Sequence, residues 1–391
     1  MCTPANVGLG IGDEFCSVLE NVIWAAFIRG PRPLKVVNEL MSFSHRFFLY
    51  GPFSLFVALA AAVMIYWWHA ADALSQRLDA ENGREIASGV HMQFASKRIA
   101  GFPFRLDAVF SDFTITVDST RGPIVWHANA FASHRLTYDS DKVVMEAAGP
   151  QEISWTDEDG KARNFRFTPG ALRASAIIDD GKLARFDLDI ISLSADKFAA
   201  GRAQFHIRRD PAFDALDLVA DLQAVRFAGD AAAGFPDGLS RARIEGRLAP
   251  AGPFAKVLAG QADWRQALDG WRAGGGGFRV DEAAVFWGKC EATSSGALTL
   301  DDAHRFAGSL SFSLADCDAL EKEAASVSEH PRAHRAVLTV LADLARREPA
   351  DKNGTLPLTV VFKDGLLFVG PGKAAGENVG FEPVGFLHAR Y

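Results

Sequence analysis

Residues 104–117 read Phe-Arg-Leu-Asp-Ala-Val-Phe-Ser-Asp-Phe-Thr-Ile-Thr-Val. Phe104, Leu106, Ala108 and Phe110 alternate with Arg105, Asp107 and Val109, and Phe113, Ile115 and Val117 alternate with Thr114 and Thr116. A period of two sends successive side chains to opposite faces of a strand, whereas a helix would space its apolar positions three or four apart. The same alternation recurs in Phe186-Leu188-Ile190, Phe205-Ile207, Leu216-Leu218-Ala220-Leu222, Ala242-Ile244-Gly246-Leu248 and Leu310-Phe312-Leu314, each written without the intervening residue. Each run reads as a strand with one apolar and one mostly polar face. Asp159-Gly160, Asp180-Gly181 and Asp364-Gly365 separate such runs, as tight hairpins require. These features predict a mainly β (α+β) fold, a large curved antiparallel sheet built as a meander, and not a parallel sheet with crossover helices.

Two amphipathic helices interrupt the strands. In the first, Phe254, Val257, Leu258, Gln261, Trp264, Leu268 and Trp271 share one face, with Pro253 at the start and Gly274 to Gly277 ending it. In the second, Pro331 opens the first turn, Val337, Leu338, Leu341, Leu344 and Ala345 form the stripe, and Arg346 and Arg347 oppose the helix dipole. A last hairpin, Leu356 to Phe362 and Leu366 to Val369, precedes a Gly-rich tail. Ala100-Gly101-Phe102-Pro103 is echoed at Ala233-Gly234-Phe235-Pro236, a sharp strand entry in both places.

Upstream, Phe47 to Trp68 carries no charge. As a helix it is about 33 Å long, enough to cross a hydrocarbon core. Tyr50 near one end and Tyr66, Trp67 and Trp68 at the other suit the two interfaces, and Pro52 falls in the first turns, where proline costs little. Arg29, Arg32, Lys35 and Arg46 precede the span, against Arg77 and Arg84 after it, which favours a cytoplasmic N-terminus. A signal peptide cleaved near Ala71-Asp72-Ala73 is the rival, but the apolar run is long for one and Trp67 and Trp68 are bulky. Met41 starts a short basic segment before the span, so residues 1–40 are either a cytoplasmic tail or an upstream extension of the reading frame. The expected organisation is 1–40 tail or extension, 41–68 anchor, 69–90 juxtamembrane helix, 91–371 exported β-rich domain and 372–391 tail.

Composition narrows the chemistry. The 391 residues carry 48 Asp+Glu against 41 Lys+Arg, a net charge of -7, which disfavours nucleic acid as a partner. There are 30 Phe but only 4 Tyr, so the aromatic content is mostly plain apolar bulk. Cys290 and Cys317 follow the span and could form a disulfide in an oxidising compartment or remain two free buried thiols. No Gly-x-Ser-x-Gly elbow, Walker loop, His-Glu-x-x-His or Cys-x-x-Cys is present. The Gly8 to Gly12 run lacks the flanking strand and helix of a dinucleotide loop, and Asp157-Glu158-Asp159-Gly160 lacks a calcium loop's closing Glu. His330 and His334 read as a cap and a surface residue, and Asp301, Asp302 and His304 as a solvated turn with an acid–base group as the alternative. No catalytic residue, metal or cofactor is expected. Trp264, Trp271 and Trp287 either belong to the core or line a lipid groove.

With these residues in view, the chain resembles the bacterial envelope family catalogued as domain of unknown function 2125. The resemblance runs from Met41 to Pro371. It is carried by the span, by Gly101-Phe102-Pro103-Phe104-Arg105-Leu106-Asp107, by Trp271-Arg272-Ala273-Gly274-Gly275 leading into Trp287-Gly288, by Gly296-Ala297-Leu298-Thr299-Leu300-Asp301, and by the Leu356-Pro357-Leu358 hairpin ending at Val369-Gly370-Pro371. Residues 1–40 depart from the family pattern. The family has no established activity, so the resemblance implies no catalytic residue. The topology also distantly resembles AsmA-like proteins, membrane-anchored β-groove proteins linked to lipid movement. The expected function is non-enzymatic: an inner-membrane, single-pass protein with a periplasmic domain, offering an apolar trough to a lipid or other hydrophobic ligand. The alternatives are a scaffolding module that meets envelope proteins and, more remotely, a hydrolase with a dispersed site.

Overall fold

The structure, a computed structural model, describes residues 45–119, 122–139, 141–157, 159–180, 182–228, 238–258, 264–317, 355–371 and 382–386. The N-terminal tail, the second amphipathic helix with His330 and His334, and the second copy of the Gly-Phe-Pro echo lie outside these residues.

Helix α1 runs His45–Glu81, and Tyr50–Glu81 is long and apolar enough to cross a membrane, with mean hydropathy 1.7 and none of its most apolar window buried. Pro52 lies inside this helix. Proline has no N–H, so the bond to the Phe48 carbonyl is lost there. The helix also stops sooner than the predicted juxtamembrane segment. Asn82 donates its backbone N–H to the Leu78 carbonyl (3.0 Å), and Gly83 takes a left-handed φ of 73°, the usual cap that only glycine adopts without cost. Residues beyond it pair as strands. The Asn82 side chain bridges the backbone of Phe94, accepting at 2.9 Å and donating at 3.1 Å, which ties the helix end to the sheet.

Eighteen strands are described: β1 (Arg84–Ala87), β2 (Val90–Gln93), β3 (Ser96–Ala100), β4 (Arg105–Val117), β5 (Ile124–Leu136), β6 (Lys142–Thr156), β7 (Ala162–Thr168), β8 (Ala171–Asp179), β9 (Lys182–Ala195), β10 (Phe198–Asp210), β11 (Ala215–Phe227), β12 (Leu239–Ala249), β13 (Gly277–Trp287), β14 (Cys290–Leu300), β15 (Phe306–Ala315), β16 (Thr355–Lys363), β17 (Leu366–Pro371) and β18 (Glu382–Phe386). All pairings are antiparallel, and from β8 onward each strand pairs with the next. Earlier, β2 and β3 lie end to end along β4, and β7 and β8 share the slot between β6 and β9. The hairpins follow from the Asp-Gly pairs. Asp364 and Gly365 both have positive φ (54° and 77°), which gives a two-residue turn whose twist matches its strands. The stretch predicted as one helix from Pro253 is described as two, α2 (Gly252–Leu258) and α3 (Trp264–Ala273).

Several strands change face part-way. In β4, Leu106, Ala108 and Phe110 are buried, and then Phe113 is, so the inward parity switches from even to odd. Asp112 between them has φ 49°. A single left-handed residue turns the strand over, so two runs that read as separate segments are one strand of 13 residues. The device recurs across neighbouring strands. Ser192 (φ 53°) separates Ile190 from Leu193 in β9, and Ala224 (φ 50°) separates Leu222 from Val225 in β11. Gly201 of β10 lies between them, where an added Cβ would stand 3.0 Å from the Ala224 Cβ.

Two apolar clusters result. Met92, Phe94, Ala108, Phe110 and Phe113 form one, with Leu78 of α1 and Phe131 packed on it. Its rings interlock, with centroids 4.2 Å apart for Phe113–Phe131 and 5.0 Å for Phe94–Phe110. The other gathers Phe167, Leu193, Ala200 and Val225, on the far side of the line of left-handed residues.

Candidate functional site

From β8 to β17 the inward residues meet in register and form one apolar face. Phe205 lies opposite Leu188 and Ala220, Ala220 opposite Ile244, Ile244 opposite Ala283, and, beyond the buried hydroxyl residue Ser294 that interrupts the row on β14, Phe312 opposite Leu358. Cross-strand contacts of this kind are the unit that stabilises a sheet. Burial along the face is uneven. One end is closed by Leu193, Ala200 and Val225, and the other by α2 and α3, where Leu216, Ala251 and Trp271 are buried. Between them Phe186, Leu188, Phe205 and Leu218 are only half-buried, and Ile244 is 38% exposed. Gly246 makes room for the Phe278 ring on the neighbouring strand, because a Cβ there would meet that ring at 2.7 Å.

The three tryptophans singled out for a groove do not converge. Trp271 is 4% exposed, donates its indole N–H to the Ala249 carbonyl (3.0 Å), and packs edge-on against Phe254 at 6.0 Å. Gly276 lies against its ring so closely that an added Cβ would stand 2.3 Å from it. Trp271 is therefore core and wedges the helices onto the sheet end. Trp287 is half-buried at the far end of β13, roughly 30 Å away along the strand at the usual rise. The Trp264 side chain is outside the described set.

The opposite face of β9–β13 carries an ionic lattice that only the pairing register assembles. Arg247 of β12 bonds Asp217 of β11 (2.6 and 3.1 Å) and Asp210 of β10 (3.0 Å). Arg202 grips Asp189 with two bonds (2.7 and 2.9 Å), and Arg241 and Arg243 converge on Asp221, which is 3% exposed. Burial pushes the Asp221 carboxyl up, but the bond from Arg241 and the charges of Arg241 and Arg243 outweigh it and hold the group below the usual carboxylate range. The Arg202 bond does the same for Asp189. A cleft of about 460 Å³ opens here, lined by four arginines (Arg185, Arg208, Arg247, Arg279) and four carboxylates (Asp187, Asp217, Glu245, Asp281). The charges balance, so the cleft exerts little net pull on an ion.

Within that cleft the imidazole Nδ1 of His206 lies 2.7 Å from Asp187 Oδ1, a pair that no sequence spacing signals because the partners are 19 residues apart. Ser175 donates to the other oxygen of Asp187 at 3.3 Å and not to the imidazole. The hydroxyl thus lacks the contact with a base that would activate it as a nucleophile. Asp301, the other acid–base candidate, organises the β14–β15 turn. Its Oδ1 accepts the backbone N–H groups of Ala303 and Arg305 (2.9 Å each), and its Oδ2 accepts from the Arg305 guanidinium at 2.8 Å. The Arg305 bond holds the Asp301 carboxyl below its ordinary pKa, so it stays ionised. His304 reaches Asp269 of α3 at 2.5 Å, and Arg272 reaches Asp302 at 2.6 Å, so the turn clips the helix to the sheet. Among the described residues no group of His, Cys, Asp and Glu is placed to hold a metal. Cys290 and Cys317 are disulfide-bonded with Cα atoms 4.3 Å apart, joining the ends of β14 and β15.

Residues 67–375 match the model of a family described as an uncharacterized protein conserved in bacteria, domain of unknown function 2125. The chain belongs to this family. The DUF2125 match starts at Trp67, so it takes in β1 to β17 with α2 and α3 and leaves out β18 and nearly all of the apolar span that the resemblance had included. No curated protein matches the chain.

Proposed function

We propose that this DUF2125 member is a single-pass membrane protein of the bacterial envelope whose periplasmic domain holds a lipid chain or another hydrophobic ligand, without catalysing a reaction. The observation that carries the reading is the apolar face of β8–β17, aligned in register, closed at its ends and half-exposed along its middle. Soluble domains rarely leave such a face uncovered unless it binds something. Covering eight methylenes of an acyl chain would contribute about 6 kcal/mol at about 0.8 kcal/mol each. The basic residues before the span support a cytoplasmic N-terminus, and the Cys290–Cys317 bond suits an oxidising compartment. The occupied lone pairs of Asp301 and the misdirected Ser175 hydroxyl favour a binding role over hydrolysis.

The test is mass spectrometry of lipid extracted from the purified full chain and from Phe205→Asp/Ile244→Asp. Both proteins keep the span, so lipid around the helix is common to the two samples. Loss of a stoichiometric lipid from the double variant supports the carrier. Equal lipid in both samples rejects it and leaves a scaffolding module, which meets partner proteins and holds no ligand.

A further inference from the structure

Where α1 meets the domain, four large aromatic side chains are more than half exposed: Trp68 on the helix, and Phe102, Phe104 and Tyr138 on two loops. Trp68 is 63% exposed, Phe102 52%, Phe104 61% and Tyr138 74%. They sit on a braced platform. The Trp67 indole donates to the Arg105 carbonyl at 2.7 Å, and its ring meets Phe102 edge-on at 5.5 Å. The Tyr66 hydroxyl donates to the Thr137 carbonyl at 3.2 Å. Thr137 in turn donates its N–H (3.0 Å) and its hydroxyl (3.2 Å) to the Phe104 carbonyl, clasping the two loops together. Gly101 permits the tight entry, with φ 98° and the Arg105 carbonyl 2.8 Å from where a Cβ would stand. Arg105 follows Phe104 in the chain, its side chain 57% exposed and paired with Asp107.

We propose that Phe102, Phe104 and Tyr138 form a second membrane contact, a lipid-docking edge of the β-domain seated in the headgroup layer beside the helix. The occupant follows from continuity. Tyr66, Trp67 and Trp68 end the apolar stretch at the level where aromatic rings favour the bilayer interface, and Tyr66 and Trp67 also bond the two loops. Rings with an apolar body and, in tyrosine, a polar tip suit that layer, and an arginine beside them suits lipid phosphate. The inference rests on α1 crossing the membrane, and the experiment separates the two.

Single-cysteine variants at Phe104, Tyr138, Asp159 and Ala58 are prepared in the full chain with Cys2 and Cys16 replaced by serine and the disulfide confirmed intact by mass. Each is labelled with an environment-sensitive fluorophore and reconstituted into phosphatidylethanolamine–phosphatidylglycerol vesicles with nitroxide on the headgroup or deep in the acyl chain. Asp159 sits past the far end of β6, roughly 40 Å along the strand from the platform at the usual rise. Headgroup nitroxide is expected to quench positions 104 and 138 about twofold more than 159, as for side chains seated at the interface. If 58 is quenched by the deep nitroxide while 104 and 138 behave like 159, the docking edge is overturned and the anchor stands. If 58 is not quenched, the anchor is overturned and the docking edge with it.

Discussion

Reducing the Cys290–Cys317 bond will lower the stability of the domain by about 3.5 kcal/mol. The magnitude comes from the closed loop. The cysteines are 27 residues apart, and the whole of that loop is the β14–β15 hairpin. Cross-linking a loop of this length removes about 12 cal/mol/K from the unfolded chain, or about 3.5 kcal/mol at room temperature. The native state forfeits little on reduction, because the pairing of Glu291 with Ala315 already holds the two positions side by side. The assay is urea unfolding of the detergent-solubilised chain, followed by tryptophan fluorescence with and without reductant. A Cys290→Ala/Cys317→Ala variant provides the reductant-independent control. Wild type should lose stability on reduction and the double variant should not respond. A wild-type change under about 1 kcal/mol would refute the loop-entropy argument. Separate, unlinked peptides for the two cysteines under non-reducing conditions would refute the bond itself.

Trp271→Ala should cost about 3–5 kcal/mol, since it removes a buried ring and its indole bond, read by the same urea curves. Gly276→Ala should cost about 1–3 kcal/mol by pushing that ring out of place, and wild-type stability would show that the contact yields freely. Asp187, Asp189, Asp221 and Asp301 all have pKa values lowered by folding. A lowered folded-state value contributes stability above the unfolded pKa, and that stability is lost as pH falls through the folded one. Urea midpoints should therefore hold steady from about pH 8 to 5 and drop below about pH 4. Asp221→Asn should flatten part of that drop, and an unchanged acid limb would refute the role given to the Arg241–Asp221–Arg243 cluster. Asp301→Ala/His304→Ala should fully complement a deletion strain, and failure with normal protein levels would show that the turn does chemistry.

The alternation and the Asp-Gly pairs made the antiparallel meander legible before any coordinates, because both report local backbone needs. What escaped were the places where one residue acts across strands. Phe110 and Phe113 read as ends of different segments because strict alternation breaks between them, yet Asp112 merely turns one strand over. The signal was present as two alternating runs out of phase, separated by short polar residues. Ala224 carried no such mark, since alanine has no preference for positive φ. The early end of α1 was readable at Asn82-Gly83, where a cap and strand entry outweigh the polar helical pattern running on past them. The ionic lattice was invisible for a different reason. His206 meets Asp187, and Arg247 meets Asp217, only once the β9–β10 and β11–β12 registers are known. Trp271 matched either role by spacing, and only its indole bond and the glycine beneath it decide for the core.

The pairing order has a bearing on how the molecule is built. Nearly every strand finds its partner among residues synthesised just before it, and the exceptions skip a single strand. Contacts so close in sequence need little chain searching, which speeds folding for a β-protein. The sheet is thus suited to grow from its N-terminal end, hairpin by hairpin, while later segments are still being made. A chain stalled midway would present an open, growing edge of just the kind that invites pairing with a second copy.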